Sequence, residues 1–214
     1  MGKWTRRGVL SAGVLGGTGL VIGIAVRPGN PTETAGHLVT GEGENLLHIY
    51  LKIDDQNRAT AILPHSEMGQ GAQTALTQML AEELDADWNL MRFEEAPADA
   101  EYANMALGRG YLFKGVDFPD AVVPTVDGLM LNLADAIGMQ VTGGSMSIRT
   151  TGQYFLRAAG ASVREMLVKT AAKAWGVPPG EIRTAKSMLH HDASGRSARY
   201  SEFAAAAAEM TPSS

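Results

Sequence analysis

Apolar and polar residues alternate through Leu47-His48-Ile49-Tyr50-Leu51-Lys52-Ile53 and again through Arg58-Ala59-Thr60-Ala61-Ile62-Leu63, the period of two expected of strands with one buried face. Asp54-Asp55-Gln56-Asn57 between them is rich in turn formers, so the pair is predicted as a β-hairpin. After Gly71 the period changes: Ala72, Leu76, Met79, Leu80 and Leu84 recur at helical spacing, which predicts an amphipathic helix ended by Asp85-Ala86-Asp87. Asn89 to Glu95 reads as a third strand beside the hairpin. From about Ala96 to Met139 Gly, Pro and Asp recur and the helix candidate, Gly128 to Ile137, is short; connections of that length in compact domains are functional or mobile as a rule.

Phe155, Ala159, Val163, Met166, Thr170 and Ala174 step by three or four, predicting a long helix over Ile148 to Trp175 that packs on the same sheet and is stopped by Gly176-Val177-Pro178-Pro179-Gly180. Glu181 to Thr184 and Ser187 to His191 give short strands, Asp192 to Gly195 a turn, and Tyr200 opens an alanine-rich helix. The resulting order, β-β-α-β-loop-α-β-β-α, is an α+β fold: a mixed sheet with helices packed on one face, preceded by an apolar N-terminal helix. Met79, Trp88, Phe155 and Trp175 are expected in its core.

The N-terminal segment stands apart. Lys3-Trp4-Thr5-Arg6-Arg7-Gly8-Val9-Leu10 leads into a glycine-rich apolar run without a charge until Arg27, the pattern of a twin-arginine export signal. Gly8 to Val26 is also within the roughly 17–25 residues that span a bilayer, so a membrane anchor is the alternative. No clean Ala-x-Ala cleavage site follows. Residues 1–27 are therefore assigned as signal or anchor, 28–45 as a linker and 46–210 as the folded domain, with a periplasmic or inner-membrane-anchored location and membrane association through the N-terminus.

Composition narrows the chemistry. With 214 residues, 45% apolar content and a net charge of −5, the chain is an ordinary globular one without the basic stripe of a nucleic-acid binder. It has no cysteine, which excludes disulfides, a thiolate-held iron–sulfur cluster and a CxxCH haem site within this polypeptide.

Two constellations carry candidate chemistry. Ser66-Glu67-Met68-Gly69-Gln70-Gly71 stands at the mouth of the first helix, and Gly138-Met139-Gln140-Val141-Thr142-Gly143-Gly144-Ser145-Met146-Ser147-Ile148-Arg149 brings small polar residues to a second helix start. Glycines there let backbone N–H groups approach a ligand without Cβ obstruction; a plain glycine turn is the alternative for either loop alone, and the pair together suggests one ligand held from both sides.

With Glu67-Met68-Gly69-Gln70-Gly71, Thr142-Gly143-Gly144-Ser145-Met146-Ser147, Leu156-Arg157-Ala158-Ala159-Gly160-Ala161 and Trp175-Gly176-Val177-Pro178 in one order, the chain from about Leu47 to Met210 resembles the molybdenum-cofactor-binding large subunit of the xanthine dehydrogenase and aldehyde oxidase superfamily. The likeness is to the isoquinoline 1-oxidoreductase and membrane-bound aldehyde dehydrogenase type. It implies oxidation of aldehydes or N-heterocycles, with water as the oxygen source. It implies molybdopterin, in its cytosine dinucleotide form, gripped by Met68, Gly69, Gln70 and Gly71 from one loop and Gly144, Ser145, Met146 and Ser147 from the other. The family's metal is held by dithiolene sulfurs of the pterin, so the absence of cysteine is compatible with it. A [2Fe–2S] cluster would belong to a partner iron–sulfur subunit; the remaining molybdenum-subunit domains and a cytochrome c are the other partners implied.

The family's large subunit is several times longer, and its glutamate base lies in a C-terminal region that this chain does not reach. No catalytic or metal-ligating residue is therefore assigned, and the chain alone is expected to be inactive. Glu67 is expected to order the loop backbone and Glu82 and Glu83 to be solvated. His65 is expected to serve as a structural hydrogen-bonding group, and His190 and His191, on opposite faces of a strand, cannot chelate one ion. Arg149 is a candidate phosphate contact; Arg157 and Arg164 suit salt bridges. The rival reading is a membrane-tethered accessory or interaction domain that keeps the fold without the cofactor.

Overall fold

The computed structural model describes residues 36–104, 116–119, 121–123, 125–126, 130, 138–143, 145 and 147–210. The apolar N-terminal segment, Gly144, Met146 and all of the Gly128 to Ile137 candidate except Met130 lie outside the described residues. No helix among the described residues is long and apolar enough to cross a membrane.

The α+β class is observed, with a mixed sheet at its centre. Strands β1 (Glu44–His48), β2 (Leu51–Asp54), β3 (Ala59–Leu63) and β4 (Met91–Glu95) lie in that order. The first three are antiparallel, whereas β4 runs parallel to β3. A parallel neighbour needs a crossover, and helix α1 (Ala72–Leu84) supplies it. Leu51, Ile53, Ala59, Ala61 and Leu63 are all buried and share one face by the two-residue period. That face is covered by α1 over β3 and β4 and by α3 (Ser201–Ala208) over β1 and β2. On the opposite face Lys52 is buried but satisfied, its Nζ donating to the Val39 carbonyl at 2.6 Å and pairing with Glu44 at 2.9 Å and Glu94 at 3.0 Å.

The predicted first strand is two. The chain folds back at Ile49-Tyr50, pairing His48 with Leu51, and a register shift between Leu46 and His48 lets the consecutive residues Leu46 and Leu47 both be buried, as a bulge permits. The turn carries no glycine or proline; it is anchored by the Tyr50 ring, edge-on to buried Tyr102 at 6.1 Å.

The segment predicted as one long helix winds first as a π-helix over Ser147–Leu156 and then as α2 (Arg157–Trp175). Glycines allow close approach to α1. A Cβ on Gly160 would lie 2.6 Å from the Leu80 carbonyl oxygen, and one on Gly152 2.6 Å from Met79 Sδ. Arg157 pairs with Glu83, and Arg164 with Asp85 at 3.0 Å, closing the same helix pair.

Beyond α2 a second, antiparallel sheet of β5 (Ile182–Ala185), β6 (Met188–His191) and β7 (Arg196–Arg199) stands apart from the first. The sequence reading has no β7, because Arg-Ser-Ala-Arg lacks β-branched and aromatic residues and buries only Ala198. The tight β5–β6 turn puts Lys186 and Ser187 at φ 48 and 58, the left-handed geometry of a two-residue hairpin. Ser187 is buried in a polar junction: its N–H donates to the Asp85 carbonyl at 2.9 Å, and its carbonyl accepts from Asn57 Nδ2 at 3.1 Å. Tyr200 adds an O–H bond to the Leu84 carbonyl at 2.8 Å.

Of the aromatic and methionine residues expected in the core, Trp88 is 49% exposed. It sits in the short turn between α1 and β4 and lines a hollow with Glu82 and Thr184. Met79, Phe155 and Trp175 are partly buried, Trp175 edge-on to Phe203 at 5.7 Å.

Candidate functional site

The first loop leaves the end of β3 through Pro64 and His65 and enters α1 at Gly71. Gly69 and Gly71 have φ of 87° and 74°, and no atom lies within 4 Å of where a Cβ would stand on either. Glycine is thus required by backbone conformation, not by crowding.

The loop is organised by its own side chains. Glu67 Oε1 accepts from the Gly71 N–H at 2.8 Å and Oε2 from the Gln73 N–H at 3.3 Å. The Gly71 N–H first, then those of Gln73, Gly69 and Gln70, hold its carboxyl below the usual glutamate range. The Gln70 amide folds back across the turn, its oxygen accepting from the Met68 N–H and its nitrogen donating to the Ser66 carbonyl at 2.9 Å. The rim itself is open, and Met68 is 70% exposed.

The second loop lies against the first. The Ser66 N–H donates to Thr142 Oγ1 at 2.9 Å. Beneath this contact His65, 2% exposed, bonds Thr151 Oγ1 through Nε2 at 2.7 Å. Burial draws its pKa down to about 4, with the Val141 carbonyl pulling weakly the other way, so the ring is neutral near pH 7. Asn104 ties the second loop to the sheet: its Nδ2 donates to the Pro64 and Val141 carbonyls at 3.2 and 2.9 Å, and its Oδ1 accepts from the Val141 N–H at 2.9 Å. Gln73, also buried, donates to the His65 carbonyl at 3.2 Å and to Glu95 at 2.9 Å.

The structure thus brings together two segments that are distant in sequence, but the predicted residues divide by role. Met68, Gly69, Gln70 and Gly71 form the exposed rim of the first loop, and Ser145 is exposed in the second segment. Ser147 is fully buried, and its hydroxyl accepts from the Gly143 N–H at 3.0 Å, so it shapes the loop from below. Gly144 and Met146 are outside the described residues. Asn104, Gln73 and Thr151 were not singled out from sequence. Each is an isolated polar residue whose partner is far along the chain, and nothing local marks it.

Arg149 is exposed at the start of the second helix, and no carboxylate among the described residues pairs with it. His190 and His191 do not converge: His191 bonds Glu181 at 2.9 Å and Ser194 at 2.7 Å. No cluster of metal-ligating side chains occurs among the described residues. Hollows of about 670 and 520 Å³ run along the outer face of α1, lined among others by Gln78, Glu82 and Trp88 and by Met79, Ile148 and Arg157. Neither is lined by Ser66 to Gly71, and those six residues are exposed among the described residues. What the seam can do is present neutral donors and acceptors to a ligand laid across it.

No protein-family model matches the chain. It is 35% identical over 161 residues to the isoquinoline 1-oxidoreductase subunit beta of Brevundimonas diminuta, covering 74% of this chain and 16% of that protein. It is 26% identical over 187 residues to the membrane-bound aldehyde dehydrogenase [pyrroloquinoline-quinone] of Gluconacetobacter polyoxogenes, covering 86% and 19%. The solved structure of quinoline 2-oxidoreductase from Pseudomonas putida 86 is similar at 15% identity and a TM-score of 0.45, over 73% of this chain and 15% of that one. The chain therefore spans less than a fifth of the curated relatives it matches.

Proposed function

We propose, from the chain's standing as a partial-length member of the molybdenum hydroxylase family, that its two loops form one wall of the cofactor site of an oxidoreductase acting on aldehydes or N-heterocycles. The observation that carries this reading is the bond from Ser66 to Thr142 at 2.9 Å, which makes one continuous surface of two segments far apart in sequence.

The donor set suits a pterin. A pterin edge offers several neutral donors and acceptors, and the seam answers with the backbone carbonyls of Met68 to Gly71, the second N–H of the Gln70 amide and the Ser145 hydroxyl. His65, Asn104, Gln73 and Ser147 stand behind them and hold the rim in shape. When bound, the molybdenum cofactor supplies the redox chemistry; this chain's residues bind and orient it. Exposed residues of the first loop need further protein to exclude water, and we assign that task to the remaining molybdenum-subunit domains, with an iron–sulfur subunit taking the electrons onward. On this reading the chain alone does not turn over, the cofactor is the cytosine dinucleotide form, and the basic apolar N-terminal segment directs export or membrane attachment.

The test is co-production of the full chain with those partners, followed by metal analysis and assay for cytidine monophosphate released from the cofactor. Molybdenum and the nucleotide are expected together, and Gln70→Ala is expected to reduce retention by about threefold to tenfold, the worth of one or two hydrogen bonds. A complex free of molybdenum, or one holding pyrroloquinoline quinone instead, would overturn the proposal. Full retention in Gln70→Ala would remove Gln70 from the site.

A further inference from the structure

We infer that Glu67 sets the ligand preference of the first loop: its carboxylate fills the ring of backbone N–H groups at the mouth of α1, so that the loop receives a neutral hydrogen-bonding face and turns anionic groups away. The inference rests on the reading of the seam as a cofactor surface.

A left-handed glycine turn running into a helix is the arrangement that elsewhere gathers phosphate, through converging N–H groups and the helix dipole. Here that position is taken from within. The carboxylate of Glu67 holds the N–H groups of Gly71 and Gln73 at 2.8 and 3.3 Å, and the Gln70 side chain holds the Met68 N–H. An incoming anion would find a negative charge where the free N–H groups would have been. Among the described residues that hydrogen-bond to the loop from outside it, none is a cation. The contacts joining it to the second loop are neutral, through Thr142 and Thr151. Gln73 behind it is bonded to a second carboxylate, Glu95, at 2.9 Å.

The consequence is an orientation for the ligand. A molecule with an uncharged ring system at one end and a phosphate or pyrophosphate at the other would lay the ring against Met68 to Gly71 and carry its anionic end away from this loop. A polycarboxylate such as a quinone cofactor would be disfavoured at the same place.

The probe is inorganic pyrophosphate, titrated into the full 214-residue chain while the backbone amide resonances of Gly69, Gln70, Gly71 and Gln73 are followed. The wild-type amides are expected to show no saturable response over the concentrations at which Glu67→Ala saturates. Glu67→Ala vacates the N–H ring and is expected to bind pyrophosphate about fivefold to tenfold more tightly than wild type, the size of one charge repulsion at close range in water. Glu67→Gln removes the charge but leaves an acceptor for the Gly71 N–H. It keeps the loop in shape if the alanine variant does not, and it is expected to respond between the other two.

Equal responses in wild type and both variants would overturn the inference, as would saturable binding of pyrophosphate to these amides in the wild-type chain over the same concentrations. The outcome is separable from the cofactor reading. Rejection of pyrophosphate by a chain whose complex lacks molybdenum would sink that reading alone, and indiscriminate binding by a molybdenum-bearing complex would sink this one.

Discussion

His65 gives the site a pH signature. Its ring is 2% exposed under the seam, and burial holds its pKa at about 4 against about 6.5 in an unfolded chain. Between those values the unfolded state binds a proton that the folded state refuses, so stability falls as pH is lowered from about 7 to 4 and levels below that. The loss attributable to His65 is about 1–3 kcal/mol; His48, drawn down to about 4 by burial, adds in the same direction. Urea unfolding from pH 7.5 to 4.5 is expected to show this decline, and His65→Gln to flatten it while lowering stability at pH 7.5. An unchanged slope in the variant would place the titration elsewhere. Glu67 acts in a different window: its lowered pKa gives a contribution present above about 4.5 and lost only as pH falls further. At this scale the sequence was partly legible. A histidine preceding a glycine loop reads as a hydrogen-bonding support, and it bonds Thr151. Asn104 was not legible, because its bonds to Pro64 and Val141 span 40 and 37 residues.

Helices α1 and α2 meet across glycines, and the two contacts differ in what can yield. A Cβ at Gly160 would press on the Leu80 carbonyl oxygen at 2.6 Å and the Leu84 nitrogen at 3.2 Å, both backbone atoms of α1. At Gly152 it would meet the sulfur and methyl of Met79 at 2.6 and 3.0 Å, the far end of a side chain with three rotatable bonds. Gly160→Ala is therefore expected to cost about 1–3 kcal/mol by forcing the helices apart. Gly152→Ala is expected to cost less than half as much as Met79 swings aside. Thermal unfolding of the two variants checks the order, and equal losses would mean that the π-wound segment cannot adjust. The element boundaries explain themselves in the same physical terms. The periods of two and three to four marked β2, β3, α1 and α2 because each carries a continuous apolar face, although β2 and most of β3 are buried on the other side as well. The turn at Ile49-Tyr50 and the strand Arg196–Arg199 escaped, since one is fixed by a buried tyrosine instead of turn residues and the other is an edge strand with one buried side chain.

The two sheets share a polar junction, and the molecule's response to damage there differs from its response at the seam. Asn57 is 4% exposed with φ of 68°, a conformation asparagine tolerates better than most residues. Its Nδ2 donates to the Ser187 carbonyl at 3.1 Å, and its Oδ1 accepts from the Ser201 N–H at 2.9 Å. One side chain of the first sheet thereby holds both the β5–β6 turn and the start of α3. Asn57→Gly keeps the backbone conformation and deletes both bonds, at an expected cost of about 1–3 kcal/mol; Asn57→Ala adds a strained φ and is expected to cost about 1 kcal/mol more. Hydrogen exchange locates the effect. Residues 182–208 are expected to lose protection before α1 does, and the Ser66–Thr142 contact to stay intact, since no bond of Asn57 reaches it. On the proposed cofactor role, retention by the co-produced complex should then survive Asn57→Gly while falling about threefold to tenfold in Gln70→Ala. Uniform loss of protection through both sheets would instead make the domain one cooperative unit, with the seam no more independent than the junction.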